Sequence, residues 1–385
     1  MVTRHRSPRP LRVVIAGGGV AALEAALALR DLAGERVATT LLTPEATFSY
    51  RPMTVLEPFS DGHARRYPLS RLAEMAGAEL RRDRLERVDP EARVVYTDCG
   101  SALRYDALLL AYGAAARDRF KHVRTIDDRR LDERLHGLVQ DVEDGYLRSL
   151  AFLATAPMAW PLPLYELALM TARAAYDMCS ELSVTIVTFE PAPLAVFGGA
   201  VSGAVAQLLE RYRVRVLTSS GCEVPEPGRV VISPGDTTLE VDSVVALPQL
   251  VARQVPGVPS TSWLGLIPID RHCEILGLNG AYAAGDATDF GIKHGSIAAQ
   301  QADVAAAHIA ARAGAAVVPH RFEPTLHGLL LGGDRPLQLT AQLSGDRIVS
   351  SEVVEAGESH PPPKIQARYL APCLRELDLI AGTAV

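Results

Sequence analysis

VVIAGGGVAALE, running from Val13 to Glu24, decides the architecture of this chain. Its first four residues are apolar and read as a buried strand, three glycines read as a turn, and helix formers follow from Val20. Gly17, Gly18, Gly19 and Ala22 fit the pattern G-x-G-x-x-A. The first glycine permits the tight turn, the next lets the backbone approach phosphate oxygens, and the small residue lets helix pack on strand. The helix N-terminus then offers unpaired N–H groups and partial positive charge to a pyrophosphate. A glycine turn alone suits any parallel sheet. Its place after a strand and before a helix makes it a dinucleotide motif.

A second stretch, AYAAGDATDF (Ala281 to Phe290), reads as a strand ending in Gly285-Asp286. GIKHGSIAAQQAD continues it, and from about Gly295 this is a helix with small residues on its face. Between the two stretches, a βαβ pattern runs through helix Ala21–Arg30, closed by Gly34, to strand Val37–Leu42. YDALLLAYG (Tyr105–Gly113) returns as a buried parallel strand. A charged, less regular stretch from Arg117 to Asp144 separates this half from a second βαβ pattern. That pattern is strand LAFLATA, a Pro-rich turn, helix Tyr165–Ala175, strand LSVTIVTF, helix Gly203–Tyr212 and strand Val214–Leu217. From His320 the tail contains PPPKIQARYL, a Pro-rich turn into a short helix.

The fold class expected is α/β, with two Rossmann-like, doubly wound dinucleotide-binding-type domains and a short C-terminal segment. The second domain is inserted in the first: residues 1–118 with 262–320 form one, 119–261 the other, and 321–385 the segment. A length of 385 residues suits this division. With 48% hydrophobic and 22% charged residues the chain can bury ordinary globular cores, which excludes a disordered or fibrous class. A net charge of −6 argues against a general nucleic-acid binder. MVTRHRSPRP has no apolar core behind it and reads as a loose arm instead of a secretory signal. The longest apolar stretch, Val13 to Leu29, is broken by glycines and Glu24, so no transmembrane span is expected. Five dispersed cysteines without a C-x-x-C pair fit a reducing cytoplasm and give no zinc site; no metal is expected.

The matching stretches GGGVAALE, FSYRP, YDALLLAYG and YAAGDATDF make the chain resemble the pyridine nucleotide-disulfide oxidoreductase superfamily of flavoproteins. Within it, the chain is most similar to the branch holding sulfide:quinone reductases, flavocytochrome c sulfide dehydrogenases and type II NADH dehydrogenases. The resemblance implies FAD as cofactor, with contacts at Gly17, Gly19, Arg51, Gly113, Gly285 and Asp286. Asp286 would accept a hydrogen bond from the flavin's ribityl chain. Glu45, two residues beyond the end of the second strand, is the candidate for the ribose hydroxyls, against a plain surface glutamate. The resemblance further implies a small-molecule electron donor and acceptor, a quinone among them. Peripheral membrane contact and a homodimer belong to the same expectation.

Departures from the family pattern narrow the chemistry. The second βαβ carries PMAWPLPLYE where a glycine fingerprint would bind NAD(P)H, and Pro157, Pro161 and Pro163 remove backbone donors. In the sulfide-oxidising relatives a Pro-rich turn ending in Tyr-Glu carries a reactive cysteine; this one ends in Tyr165-Glu166 and holds none. Four residues become the catalytic candidates. Trp160 would cover the flavin face, or pack between domains. Tyr165 would line a pocket. Lys293 would favour the anionic reduced flavin and His294 would shuttle a proton, each against the alternative of a solvated loop residue. The leading reading is an FAD-dependent oxidoreductase; the rivals are an NAD(P)H dehydrogenase with an atypical nucleotide site and a non-catalytic flavin-binding or interaction protein.

Overall fold

The computed structural model describes residues 9–154, 160–235, 237–261, 263–345, 347–357 and 363–382. Pro157 lies outside these residues. Strand β1 (Leu11–Ala16) passes into helix α1 (Val20–Ala33) through Gly17, whose φ of 147° only glycine adopts without strain. α1 stops at Gly34, φ 52°, which returns its N–H to the carbonyl of Arg30. Alanines and leucines bury nearly the whole of α1, and Leu29 alone contributes on the order of 1.5–3 kcal/mol by leaving water.

Strand β2 (Val37–Leu42), helix α2 (Leu69–Met75), strand β3 (Glu79–Arg81) and, after a three-stranded meander, strand β4 (Ala107–Leu110) follow. β1 lies between β2 and β4, parallel to both, with Ile15 level with Leu41 and Leu109. The chain then leaves through Ala114–Arg117 and later comes back through Gln249–Ala252; these two connecting strands pair antiparallel.

The residues between them build a second parallel sheet. Its elements are β5 (Arg124–Thr125), α3 (Leu131–Glu143), β6 (Ser149–Ala154), α4 (Leu162–Asp177), β7 (Ser183–Thr188), α5 (Gly199–Arg211), β8 (Val214–Leu217) and β9 (Ser243–Ala246). Their spatial order is β5-β9-β6-β7-β8, parallel throughout. α4 starts three residues before the expected Tyr165. Pro161 caps it and Pro163 sits in the first turn, where a missing N–H is no loss. α5 likewise starts at Gly199, ahead of the expected Gly203.

β10 (Ala281–Ala283) then adds to the first sheet beside β4, giving the order β10-β4-β1-β2-β3. Helix α6 (Gly295–Arg312) packs on α1 through small residues, alanine on alanine. The expected fold class, two parallel nucleotide-type sheets with helices, is what the chain adopts. The tail holds more than a turn and a helix. Before α7 (Leu370–Gly382) it forms an antiparallel sheet of β11 (Thr325–Leu330), β12 (Leu337–Ser344) and β13 (Arg347–Glu355). Leu326, Leu330, Leu339 and Ala341 of this sheet are buried in the same core as α4 and Phe197.

Candidate functional site

At the β1–α1 turn the chain is tight on one side and open on the other. Gly17 donates its N–H to Leu42 at 2.9 Å, and a Cβ on it would lie 2.1 Å from the carbonyl oxygen of Ala111. A Cβ on Gly18 would meet Thr43 Oγ1 at 2.7 Å. At Gly19, the N-cap of α1, and at Gly113, φ 71°, a Cβ meets no atom within 4 Å. Space is therefore open at the N-cap of α1, where an anionic pyrophosphate could approach the helix N-terminus. Ala22 is fully buried, as helix–strand packing requires.

Gly285 fits between Ala21 and Ala298, 3.5 and 3.4 Å from where its Cβ would be, and this seats Asp286 beside the start of α1. Its N–H bonds Gln301 Oε1 at 2.7 Å, and Thr288 closes the turn through its hydroxyl to the Gly285 carbonyl at 2.9 Å. Enclosure pushes the Asp286 carboxyl above its ordinary range, while the nearby Lys293 and Arg51 charges pull it back. Arg51 reaches Asp128 at 3.4 Å. Glu45 is exposed, and its N–H bonds Thr43; it is Thr43 that stands against the glycine turn.

Lys293 is buried, with Nζ donating to the carbonyl of Thr288. Burial lowers its pKa to about 8, with Asp286 and Asp289 opposing. His294 is the N-cap of α6: Nδ1 accepts the Ser296 N–H at 3.3 Å, which puts the ring proton on Nε2. Burial, with the His327 and Lys364 charges, drops its pKa to about 3. The imidazole is neutral at physiological pH. Its face lies on Trp160, ring centroids 4.4 Å apart, and Trp160 meets the ring of Phe197 at 5.4 Å. Trp160 thus bridges the start of α6 and the loop after β7.

Tyr165 is not brought to this group as a pocket residue. Because α4 starts early, Tyr165 is one turn inside it, fully buried, with its hydroxyl donated to Glu190 Oε2 at 3.0 Å. Burial, then the Glu190 charge, raises the phenol's pKa. Thr188 adds a second hydroxyl at 3.2 Å. Glu190 follows the second strand of its βαβ unit, where a nucleotide-binding domain keeps its ribose-binding carboxylate. Here that carboxylate is only 4% exposed and is bonded within the core.

Sequence reasoning missed the residues that cover the site. Lys364 Nζ lies 2.6 Å from Glu166 Oε1, with both side chains buried, and the same oxygen accepts the Leu331 N–H at 2.9 Å. Ile365 donates its N–H to the Tyr50 hydroxyl at 2.9 Å and packs on Gly295; Gln366 donates its own to Ser296 Oγ at 2.8 Å. Tyr369 and Leu370 then donate their N–H groups to Glu24 at 2.9 and 2.5 Å. One signal was available: Lys364 is one of only three lysines, and it follows three prolines. Beside this cover lies a cavity of about 830 Å³, mainly apolar, lined by Tyr50, Met53, Met170, Leu329, Leu374 and Lys364 among others.

No protein-family model and no curated protein matches the sequence. Solved structures do. The sulfide:quinone oxidoreductase from the hyperthermophilic bacterium Aquifex aeolicus superposes with a TM-score of 0.75 at 18% identity, over 89% of this chain and 87% of that one. The chain shares its fold. A ferredoxin reductase from Rhodopseudomonas palustris gives 0.63 at 21% identity, over 87% and 83%. A NAD-dependent persulfide reductase from A. fulgidus gives 0.59 at 18%, over 86% of this chain and 64% of that one. The two parallel sheets with a C-terminal cover are thus an architecture this chain shares with these three reductases, over 86 to 89% of its length.

Proposed function

We propose that this chain is an FAD-dependent oxidoreductase that passes electrons through a bound flavin from a donor to a quinone or another small apolar acceptor. The observation that carries this reading is the open cradle at Gly19 and Gly113, with Asp286 set beside it. Gly17, Gly18, Gly19 and Ala22 would hold the pyrophosphate at the N-terminus of α1. Arg51, Gly113, Gly285 and Asp286 would hold the rest of the cofactor, and Glu45 is the ribose candidate. When bound, FAD supplies reversible two-electron redox chemistry.

The side chains around the cradle divide the remaining work. Lys293, with a pKa of about 8, can hold or release a proton next to Asp286 near neutral pH. His294 stays a neutral imidazole in that range and serves to fix the N-terminus of α6, with Trp160 packed on it. The apolar cavity beside Lys364 suits a flat hydrophobic acceptor. Donation by NADH is disfavoured, because Glu190 is spent on Tyr165 and Thr188.

The division into 1–118 with 262–320, 119–261 and 321–385 belongs to the same reading; the pairing of Ala114–Arg117 with Gln249–Ala252 supports an inserted second domain, with the return strand lying ahead of residue 262. None of the five cysteines forms a disulfide, which supports a cytoplasmic setting. No helix among the described residues is long and apolar enough to cross a membrane; peripheral contact stays compatible with a quinone acceptor.

The test is an anaerobic titration of the purified protein, followed through its visible flavin bands. Flavin is expected to be bound, to persist under NADH and NADPH, and, once reduced with dithionite, to be reoxidised by a short-chain quinone. Rapid bleaching by either nucleotide would assign the donor to the second sheet after all. If no flavin binds even after FAD is added, the reading fails.

A further inference from the structure

From Lys364 the chain crosses the molecule without joining a helix or strand until α7 begins at Leu370. Lys364 and Ile365 are buried all the same. A backbone N–H taken out of water must find an acceptor. Here the acceptors are side chains of other elements. Ile365 donates to the Tyr50 hydroxyl, Gln366 to Ser296 Oγ, and Tyr369 and Leu370 to Glu24. The Lys364 ammonium adds its own tie to Glu166 of α4.

These anchors lie around the cradle. Glu24 comes five residues after Gly19, on α1. Ser296 is the second residue of α6, just past Lys293 and His294. Tyr50 adjoins Arg51. Ile365 lies on Gly295, where a Cβ would come within 2.8 Å of its side chain. One segment without regular structure thus spans the parts of the chain that would hold the cofactor.

Such a segment can lift alone. Each of its hydrogen bonds contributes about 0.5–1.5 kcal/mol net, and none belongs to a helix turn or a sheet ladder that must break with it. The helices beneath, α1 and α6, open only by giving up their own ladders and the core they share.

We propose that residues 364–370 are a strap that gates cofactor exchange: FAD enters and leaves while the strap is lifted, with α1 and α6 still folded. The inference rests on the flavin reading. The strap closes over the empty and the filled cradle alike, so it slows exchange in both directions and leaves the affinity unchanged.

Stopped-flow fluorescence of FAD with the full-length chain tests it, together with hydrogen exchange of the same chain without FAD. The native association rate is expected to level off as FAD is raised, at the rate of strap opening. Ser296→Ala and Tyr50→Phe each remove one acceptor. Each should raise that plateau and the dissociation rate by the same factor, about three- to tenfold, and hold Kd within about twofold. The amides of 364–370 should exchange well before those of α1 and α6. Association that climbs linearly with FAD overturns the gate. So does faster dissociation without faster association, which makes the strap a contact of the cofactor instead. Strap amides as protected as those of α6 overturn it with no reference to flavin. If FAD binds at rates indifferent to both substitutions, the gate alone fails; if no FAD binds, the flavin reading fails and the gate with it.

Discussion

Glu166 and Lys364 stand 198 positions apart in sequence and 2.6 Å apart in space, each almost wholly removed from water. Taking two ions out of water costs several kcal/mol apiece, and their attraction offsets that only while both are present. Burial pushes the Glu166 carboxyl up, and Lys364 and the Leu331 N–H hold it down. Removing one partner leaves the other charge buried alone. Glu166→Ala or Lys364→Met is expected to cost about 3–5 kcal/mol in urea unfolding. The double variant Glu166→Leu with Lys364→Met should cost less than either single change, since it strands no charge. A double variant as unstable as the sum of the singles would refute a buried ion pair.

The β1–α1 turn joins one constraint on folding to another on binding, and its glycines separate them. Gly17→Ala drives a methyl to 2.1 Å from a backbone oxygen at φ 147°, so the strand–turn–helix unit itself must shift. Gly19→Val meets open space and leaves the unit intact while filling the front of α1. Thermal melts of the flavin-free proteins should show Gly17→Ala lowered by several degrees and Gly19→Val within a degree or two of the native chain. Added FAD should then stabilise the native chain and not Gly19→Val.

This turn was legible in the sequence because strand, glycines and helix are adjacent and each obeys its own period. The Gly285-Asp286 return was legible for the same reason. Tyr165 was misplaced by one helical turn, since prolines that read as a turn in fact open α4. The C-terminal sheet escaped notice because most of β13 is exposed, with only Ser351 and Val353 half-buried. Lys364 escaped because nothing local to PPPKIQARYL points to Glu166; that contact exists only once α4 and the tail are folded together.

At the scale of the molecule, the first helix and the last are held by one buried carboxyl pair. Glu24 on α1 accepts the N–H groups of Tyr369 and Leu370 at the start of α7, and Asp303 of α6 lies against it. Burial and the Glu24 charge push the Asp303 pKa up to about 8, so at neutral pH Asp303 keeps its proton and Glu24 takes the backbone donors. Arg368 is the cation facing the pair, and Tyr369 the phenol. An unfolded aspartate titrates near about 3.9. The folded chain therefore binds the extra proton between about 4 and 8, and this contribution to stability is full at the acid end and lost as pH rises through 8. Asp303→Asn keeps a donor to Glu24 without the titration. Its melting temperature should match the native chain at pH 5 and exceed it at pH 8.5 by roughly 2–4 °C. An unchanged difference across that range would contradict the assignment.

The same closure orders the making of the protein in time. Tyr369 is synthesised 345 residues after Glu24. Helix α1 thus leaves the ribosome with a carboxylate that its finished core will enclose, and the donors for that carboxylate do not yet exist. Helix α1 waits, its acid still in water, until α7 arrives to seal it.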